Sequence, residues 1–169
     1  MLILNLAAVA REPVEIRGQI PPDDPLWEGT AARLISPLQF DLEARWVGEG
    51  VLVRGEIETR IETACRRCLT PVEVDIRDTI DLFYEPLAAD VEAELGGEVL
   101  ALPDRGDKLD LAPAIREQTV LRIPDYVLCA ETCRGLCPQC GAELNYQKCD
   151  CVPETGGGAW DALKKIKFD

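Results

Sequence analysis

Residues 40–84 read FDLEARWVGEGVLVRGEIETRIETACRRCLTPVEVDIRDTIDLFY, and the period of this stretch decides the fold. Phe40, Leu42, Ala44 and Trp46 alternate with Asp41, Glu43 and Arg45. Successive side chains of a strand point to opposite faces, so a period of two marks a half-buried strand. Gly48-Glu49-Gly50 reads as a tight hairpin connection. Val51 and Val53 begin the return strand, and Ile57, Thr59, Ile61 and Thr63 continue its apolar side against Glu56, Glu58, Arg60 and Glu62. After Pro71 the pattern resumes, with Val72, Val74, Ile76, Ile80, Leu82 and Tyr84 against Glu73, Asp75, Arg77 and Asp81. The stretch predicts an antiparallel sheet with one wet face crowded with acids.

Upstream, MLILNLAAVARE reads as a first strand. No basic residue precedes its apolar run, which soon meets Arg11, Glu12 and Pro13, so it lacks the form of a secretory signal. Residues 13–38 hold Pro13, Pro21, Pro22, Pro25 and Pro37 and read as loop and short edge structure, with Trp27 pinning the loop to the core. Residues 86–108 read as an irregular acidic surface loop. Asp110 then caps a helix near 110–121, with Pro113 in its first turn, a stripe of Leu111, Ile115, Thr119 and Val120, and Pro124 beyond its end. Gly156-Gly157-Gly158 reads as a joint before a short helix carrying Trp160, Leu163 and Ile166 beside Lys164, Lys165 and Lys167. The expected class is α+β, mainly β: an antiparallel sheet, one or two helices and a cysteine-rich metal module. The expected division is a β-rich domain over 1–128, a cysteine-rich module over 129–155 and a terminal helix over 156–169.

Hydrophobic residues are 47% of the 169, enough for a packed core, and only 5% are aromatic, so that core is mainly aliphatic. No stretch approaches the length of a spanning helix, and the expected location is the cytoplasm. Lys and Arg number 18 against 31 Asp and Glu, a net charge of -13. That balance opposes non-specific binding to phosphate backbones and suits a basic partner. With no histidine, Ser-His and Cys-His nucleophile pairs are excluded. No P-loop or dinucleotide fingerprint is present.

The eight cysteines fall into four pairs: Cys65 and Cys68, Cys129 and Cys133, Cys137 and Cys140, Cys149 and Cys151. Two residues between cysteines let one tight turn offer both thiolates to one ion, and zinc takes four such ligands in a tetrahedron. Gly141 after Cys140 relieves the backbone of such a knuckle. Close cysteine pairs inside a cell are more often metal ligands than disulfides. Two zinc sites are expected. Cys137, Cys140, Cys149 and Cys151 are assigned to a local one, and Cys65, Cys68, Cys129 and Cys133 to a long-range staple. Other pairings stay open, because Cys133 and Cys137 are close in sequence, and a rubredoxin-like iron site is an alternative. A four-thiolate zinc carries a net charge of about -2. Arg66, Arg67, Arg134 and Lys148 are placed to offset it, or alternatively to contact RNA. Four protein ligands leave no position for water or substrate, so the sites predict structure rather than catalysis.

Cys65-Arg66-Arg67-Cys68-Leu69-Thr70-Pro71, Ile123-Pro124, the run from Cys129 to Gly141, Leu144-Asn145 and the final Cys-x-Cys together resemble the YceD family, called large ribosomal RNA subunit accumulation proteins. Trp160-Asp161-Ala162-Leu163-Lys164-Lys165 is similar to that family's short C-terminal helix. The resemblance implies a role in accumulating large-subunit ribosomal RNA. It also implies a partner among large-subunit proteins, since the family's gene often adjoins that of a small zinc-ribbon ribosomal protein. The expectation is a non-enzymatic, zinc-binding ribosome-biogenesis factor that binds a basic ribosomal protein or a large-subunit assembly intermediate, with any RNA contact indirect. The competing expectations are direct ribosomal RNA binding through Arg66, Arg67, Arg134 and the terminal lysines, and an enzyme such as a nuclease or thiol oxidoreductase.

Overall fold

The computed structural model describes residues 2–86, 100–103 and 106–152. In chain order the elements are β1 (Ile3–Asn5), α1 (Leu6–Val9), β2 (Val14–Ile20), a 3-10 turn (Pro25–Trp27), β3 (Arg33–Leu34), β4 (Leu38–Val47), β5 (Gly50–Ala64), β6 (Pro71–Glu85), β7 (Leu100–Ala101), β8 (Lys108–Asp110) and α2 (Ala112–Leu121). The main sheet runs β2-β4-β5-β6-β7, with β3 beside β5, and β1 pairs separately with β8. All pairs are antiparallel except the short β6–β7 pair. Among the described residues, no helix is long and apolar enough to cross a membrane.

The alternation holds through Ala44 in β4 and along most of β5 and β6, but Trp46, expected on the apolar side, is exposed where β4 runs out to its turn. Leu38, Phe40, Leu42 and Ala44 of β4, Val51, Val53, Ile57 and Ile61 of β5, and Ile76, Ile80, Leu82 and Tyr84 of β6 are all buried in one core cluster. Each fully buried Ile or Leu contributes roughly 1.5–3 kcal/mol. Val47 pairs with Gly50 across a two-residue turn. Gly48, at the turn's first central position, has φ +63°, the left-handed start that a type II′ hairpin requires.

Leu111 and Ile115 bring α2 onto the core, and the buried Thr119 hydroxyl donates to the Ile115 carbonyl at 2.7 Å. Leu111 is the residue at the helix cap, while the Asp110 carboxylate accepts the Ala112 N–H at 3.0 Å. Arg116 donates to the carbonyls of Leu26 and Glu28, fastening the helix to the 3-10 turn. Trp27 is buried there, its indole N–H donating to the Pro21 carbonyl at 2.9 Å.

Three expectations need correction. Residues 14–20, within the stretch expected to be loop and short edge structure, are a full seven-residue edge strand that pairs along β4 from Val14–Ala44 to Ile20–Leu38. Gly18 and the flanking prolines hide it, yet Val14, Ile16 and Ile20 keep the period of two. The first strand stops at Asn5, whose side chain accepts the Ala8 N–H and turns the chain into α1. Within 86–108, Leu100–Ala101 and part of β8 are strand. The rest of that loop at 87–99 and 104–105, the Gly156–Gly158 joint and the terminal helix lie outside the described residues.

The outer face is a charge ladder rather than a plain acidic field. Arg17 pairs with Asp41, Arg33 with Glu62, Arg54 with Asp81, Arg60 with Asp75 and Arg77 with Glu56. Such exposed pairs fix little energy individually. These pairs set opposite charges across neighbouring strands, which offsets the repulsion where the register places Glu15 opposite Glu43 and Glu62 opposite Glu73.

One gap in the apolar alternation has a specific cause. Asp78 stands where β6 should offer an apolar side chain, facing Ile57 in register. Arg122, at the end of α2, donates to its carboxylate at 2.7 Å and to the Thr79 carbonyl at 2.8 Å. The Thr79 N–H and then Arg122 hold the Asp78 carboxyl below its ordinary value. Because the folded value is depressed, this contribution to stability is present above the ordinary carboxylate range and fades as pH falls through the lower folded value. Arg122→Gln is expected to return the Asp78 titration partway toward normal, since the Thr79 N–H remains. Carboxyl-carbon NMR would read it, and an unmoved titration would refute the coupling.

Candidate metal centre

β5 and β6 pair over their whole length, from Val51–Tyr84 to Ala64–Pro71, and the six residues between them form the tip of the hairpin. At that tip the Cys65 N–H donates to the Thr70 carbonyl and the Leu69 N–H to the Cys65 carbonyl, both at 2.9 Å. The turn at Cys137 repeats the pattern: the Cys137 N–H donates to the Ala142 carbonyl at 2.8 Å and the Gly141 N–H to the Cys137 carbonyl at 2.9 Å. The two knuckles are therefore the same local structure. The residue after the second cysteine is left-handed in both, Gly141 at φ +72° and Leu69 at φ +62°. Leucine in that region costs roughly 1–2 kcal/mol, which glycine avoids. Leu69 is also mostly exposed, so it loses little packing if replaced. Leu69→Gly is expected to stabilise the hairpin tip by about 1 kcal/mol, the relief of strain exceeding glycine's entropic cost. A higher thermal midpoint would report it, and a lower one would mean that the side chain is needed in place.

The structure gathers the sulfurs of Cys65, Cys68, Cys129 and Cys133 into one group and those of Cys137, Cys140, Cys149 and Cys151 into another, each within 4.8 Å of one another. Cys65 and Cys133 Sγ are 3.8 Å apart, and Cys68 and Cys129 Sγ 3.5 Å. A disulfide would bring sulfurs to about 2.05 Å. Four sulfurs each about 2.3 Å from a central ion would lie about 3.8 Å apart, so the spacing is that of a tetrahedral thiolate site. All eight cysteines are free. Both clusters can hold a metal ion, and the soft four-sulfur donor set suits one. When bound, such an ion would supply a tetrahedral cross-link.

The first cluster sits against Val72, Leu128 and Leu136, in an apolar group separate from the main core. The Cys129 segment is held to the hairpin tip by backbone bonds, Arg66 N–H to the Val127 carbonyl and Leu136 N–H to the Arg67 carbonyl. Arg66 Nε also donates to the Asp125 carbonyl at 2.6 Å, and Arg67 donates to the Cys133 carbonyl at 2.8 Å and to the Tyr126 hydroxyl at 3.3 Å. These arginines fasten one cysteine pair to the other. Gly135, at φ +76°, lets the chain pass Arg67, whose carbonyl oxygen a Cβ would meet at 2.8 Å.

Asn145 is the positioning residue that reading by spacing misses. Its Nδ2 donates to Cys133 Sγ at 3.4 Å, and its Oδ1 accepts the Arg134 N–H at 2.7 Å. Asn145 belongs to the stretch that carried the family resemblance, but nothing in its spacing marks a sulfur contact.

The thiols are electrostatically prepared for an ion. Burial pushes the Cys65 thiol up, but N–H groups of Cys68, Arg67 and Cys129 outweigh it and bring the thiol down to about 6. The N–H groups of Cys140 and Gln139 bring Cys137 down to about 6 as well. Asn145 lowers Cys133. Cys129 and Cys151 are pushed up to about 12, chiefly by hydrogen bonds to Cys68 and Cys140. A metal ion binding either cluster would displace the protons its sulfurs carry.

A strand-rich α+β protein whose long hairpin and a later cysteine segment assemble two four-sulfur clusters is the class that fold and site define. Residues 53–167 match the family model described as Large ribosomal RNA subunit accumulation protein YceD, and the chain belongs to that family. It is similar to an uncharacterized protein of Mycobacterium tuberculosis, 36% identical over 108 residues, 63% of this chain and 51% of the relative. It is also similar to Large ribosomal RNA subunit accumulation protein YCED homolog 1, chloroplastic, of Arabidopsis thaliana, 26% identical over 157 residues, 78% of this chain and 49% of that protein. The protein of the same name from Zea mays is 28% identical over 158 residues, 78% of this chain and 54% of that protein. The chain spans about half the length of the curated relatives it matches. No solved structure gives a significant match. The family is linked to accumulation of large-subunit ribosomal RNA.

Proposed function

We propose that this protein is a non-enzymatic ribosome-biogenesis factor that binds two zinc ions and supports accumulation of large-subunit ribosomal RNA by holding a basic ribosomal protein or a large-subunit assembly intermediate. The observation that carries the reading is the pair of closed four-cysteine clusters in a YceD-family chain of net charge -13. Four sulfurs satisfy zinc completely, so the ion holds the fold and offers no open position for chemistry. With about -2 at each loaded cluster, the holoprotein is more acidic than its sequence alone. Such a surface attracts a basic protein and opposes phosphate. Arg66 and Arg67, which direct RNA binding would need, spend side-chain donors inside the fold. The proposed place of action is the cytoplasm.

The test is recovery of the tagged protein from growing cells at low and at moderate salt, with its companions identified. A basic large-subunit ribosomal protein or a large-subunit precursor is expected at low salt, weakening as salt screens the contact. Neither at either salt would sink the proposal. Tight binding to naked large-subunit RNA, lost in Arg66→Glu and Arg67→Glu, would replace it with direct RNA recognition.

A further inference from the structure

The two clusters differ in a way their shared chemistry conceals. In the first, Cys65, Cys68 and Cys133 are at most 5% exposed, and only Cys129 reaches solvent. Val72, Leu128 and Leu136 pack against its buried cysteines. In the second, only Cys137 is buried; Cys140 is exposed and Cys149 and Cys151 are half-buried.

Their attachments differ as well. Freeing the first cluster means parting the Cys129 segment from the hairpin, and with it the bonds from Arg66 and Arg67 to Val127, Asp125 and Cys133. The second cluster draws all four ligands from residues 137–151. Gln139 Nε2 donates to the Val152 carbonyl at 2.8 Å. The second cluster offers an incoming ligand three cysteines that reach solvent, whereas the first offers only Cys129 and must open locally before its other three ligands are reached.

We infer that the two clusters form a hierarchy: Cys65, Cys68, Cys129 and Cys133 hold a permanent structural ion, while Cys137, Cys140, Cys149 and Cys151 form an exchange site for a thiophilic divalent cation such as Zn²⁺. This rests on the metal-binding part of the reading above and adds regulation to it. Loss of the exchangeable ion frees the Cys149–Cys151 end of this segment, while Asn145 keeps its bonds to Cys133 and Arg134 and the first knuckle stays on the sheet. Supply of the cation thereby sets the order of this surface.

The experiment follows chelation of the reduced full-length holoprotein by EDTA. Released zinc is read by a colorimetric indicator, and iodoacetamide labelling is mapped by mass spectrometry at each time point. One equivalent is expected to leave roughly tenfold or more faster than the other. Labelling of Cys140, Cys149 and Cys151 should accompany the fast phase, and labelling of Cys65 and Cys68 the slow one. Cys151→Ser is expected to lack the fast phase and keep the slow one. Loss of both ions in a single phase, or fast labelling of the Cys65 group, would overturn the hierarchy and leave zinc binding standing. A protein carrying no metal at the outset would overturn both.

Discussion

Replacing Cys133 by Ser is expected to remove one of the two metal equivalents and release the Cys129 segment from the sheet, leaving the sheet itself folded. The reason lies in the distance that this cluster spans along the chain. Cys68 and Cys129 are 61 residues apart and Cys65 and Cys133 are 68 apart, yet their sulfurs meet. Treated as a cross-link closing about 60 residues, the metal contributes on the order of 4 kcal/mol by chain entropy alone. Removing Cys133 also strands the Asn145 amide and leaves three crowded thiols without the ion that neutralises them. The main core does not include these residues: the cysteine cluster and its Val72, Leu128 and Leu136 shell form a separate apolar group. Strand circular dichroism and the emission of buried Trp27 should therefore persist, while trypsin cuts rapidly after Arg134. Two metals retained with the segment still protected would refute the staple. Loss of the whole fold would refute the independence of the two apolar groups. Cys151→Ser should be milder, because its cluster closes only a short local loop and anchors nothing to the sheet.

Why the hairpin was legible and its neighbours were not follows from what each segment depends on. β4, β5 and β6 bury one face, so their sequences must alternate, and Phe40, Leu42 and Ala44 show that pattern directly. β2 is held by backbone pairing to β4, and its residues are mostly half-buried or exposed. Its pattern is correspondingly faint among the prolines. The two-residue strands β3 and β7 are too short for any period. β3 ends before Ser36, whose hydroxyl accepts the Arg60 N–H at 2.8 Å and carries the chain past Pro37 into β4. The four-cysteine sets were readable because thiolate geometry restricts spacing. Asn145, Arg66 and Arg67 act through tertiary approach, which spacing does not encode. The acids of the outer face were readable one by one, but their cross-strand arginine partners depended on register.

Gly55→Ala is expected to destabilise the sheet by about 3 kcal/mol or more, near the upper end of overpacking costs. In the sequence Gly55 is the break between Val53 and Ile57 on the apolar side of β5. Glycine inside a strand often marks a close approach by another backbone. Here it faces Leu42 on one side and Ile80 on the other in register. A Cβ at this position would collide with the Asp41 carbonyl oxygen and lie 2.7 Å from the Leu42 Cα and 2.9 Å from the Asp41 carbonyl carbon. These are backbone atoms locked into the β4 ladder, so no side-chain rotation relieves the collision. β4 must shift from β5, and the shift disturbs the neighbouring buried row of Ala44, Val53 and Leu82. Gly48→Ala is the control. Its turn has open space around the new methyl group, so it meets only the left-handed backbone penalty of about 1 kcal/mol. Urea midpoints measured with the metals saturated would separate the two. A Gly55→Ala midpoint within about 0.5 kcal/mol of the parent would show that β4 and β5 have room to part. Undiminished metal content in a destabilised Gly55→Ala protein would place the damage in the sheet rather than at the hairpin tip. It would also show that the clusters report on the tip while the glycine reports on the core.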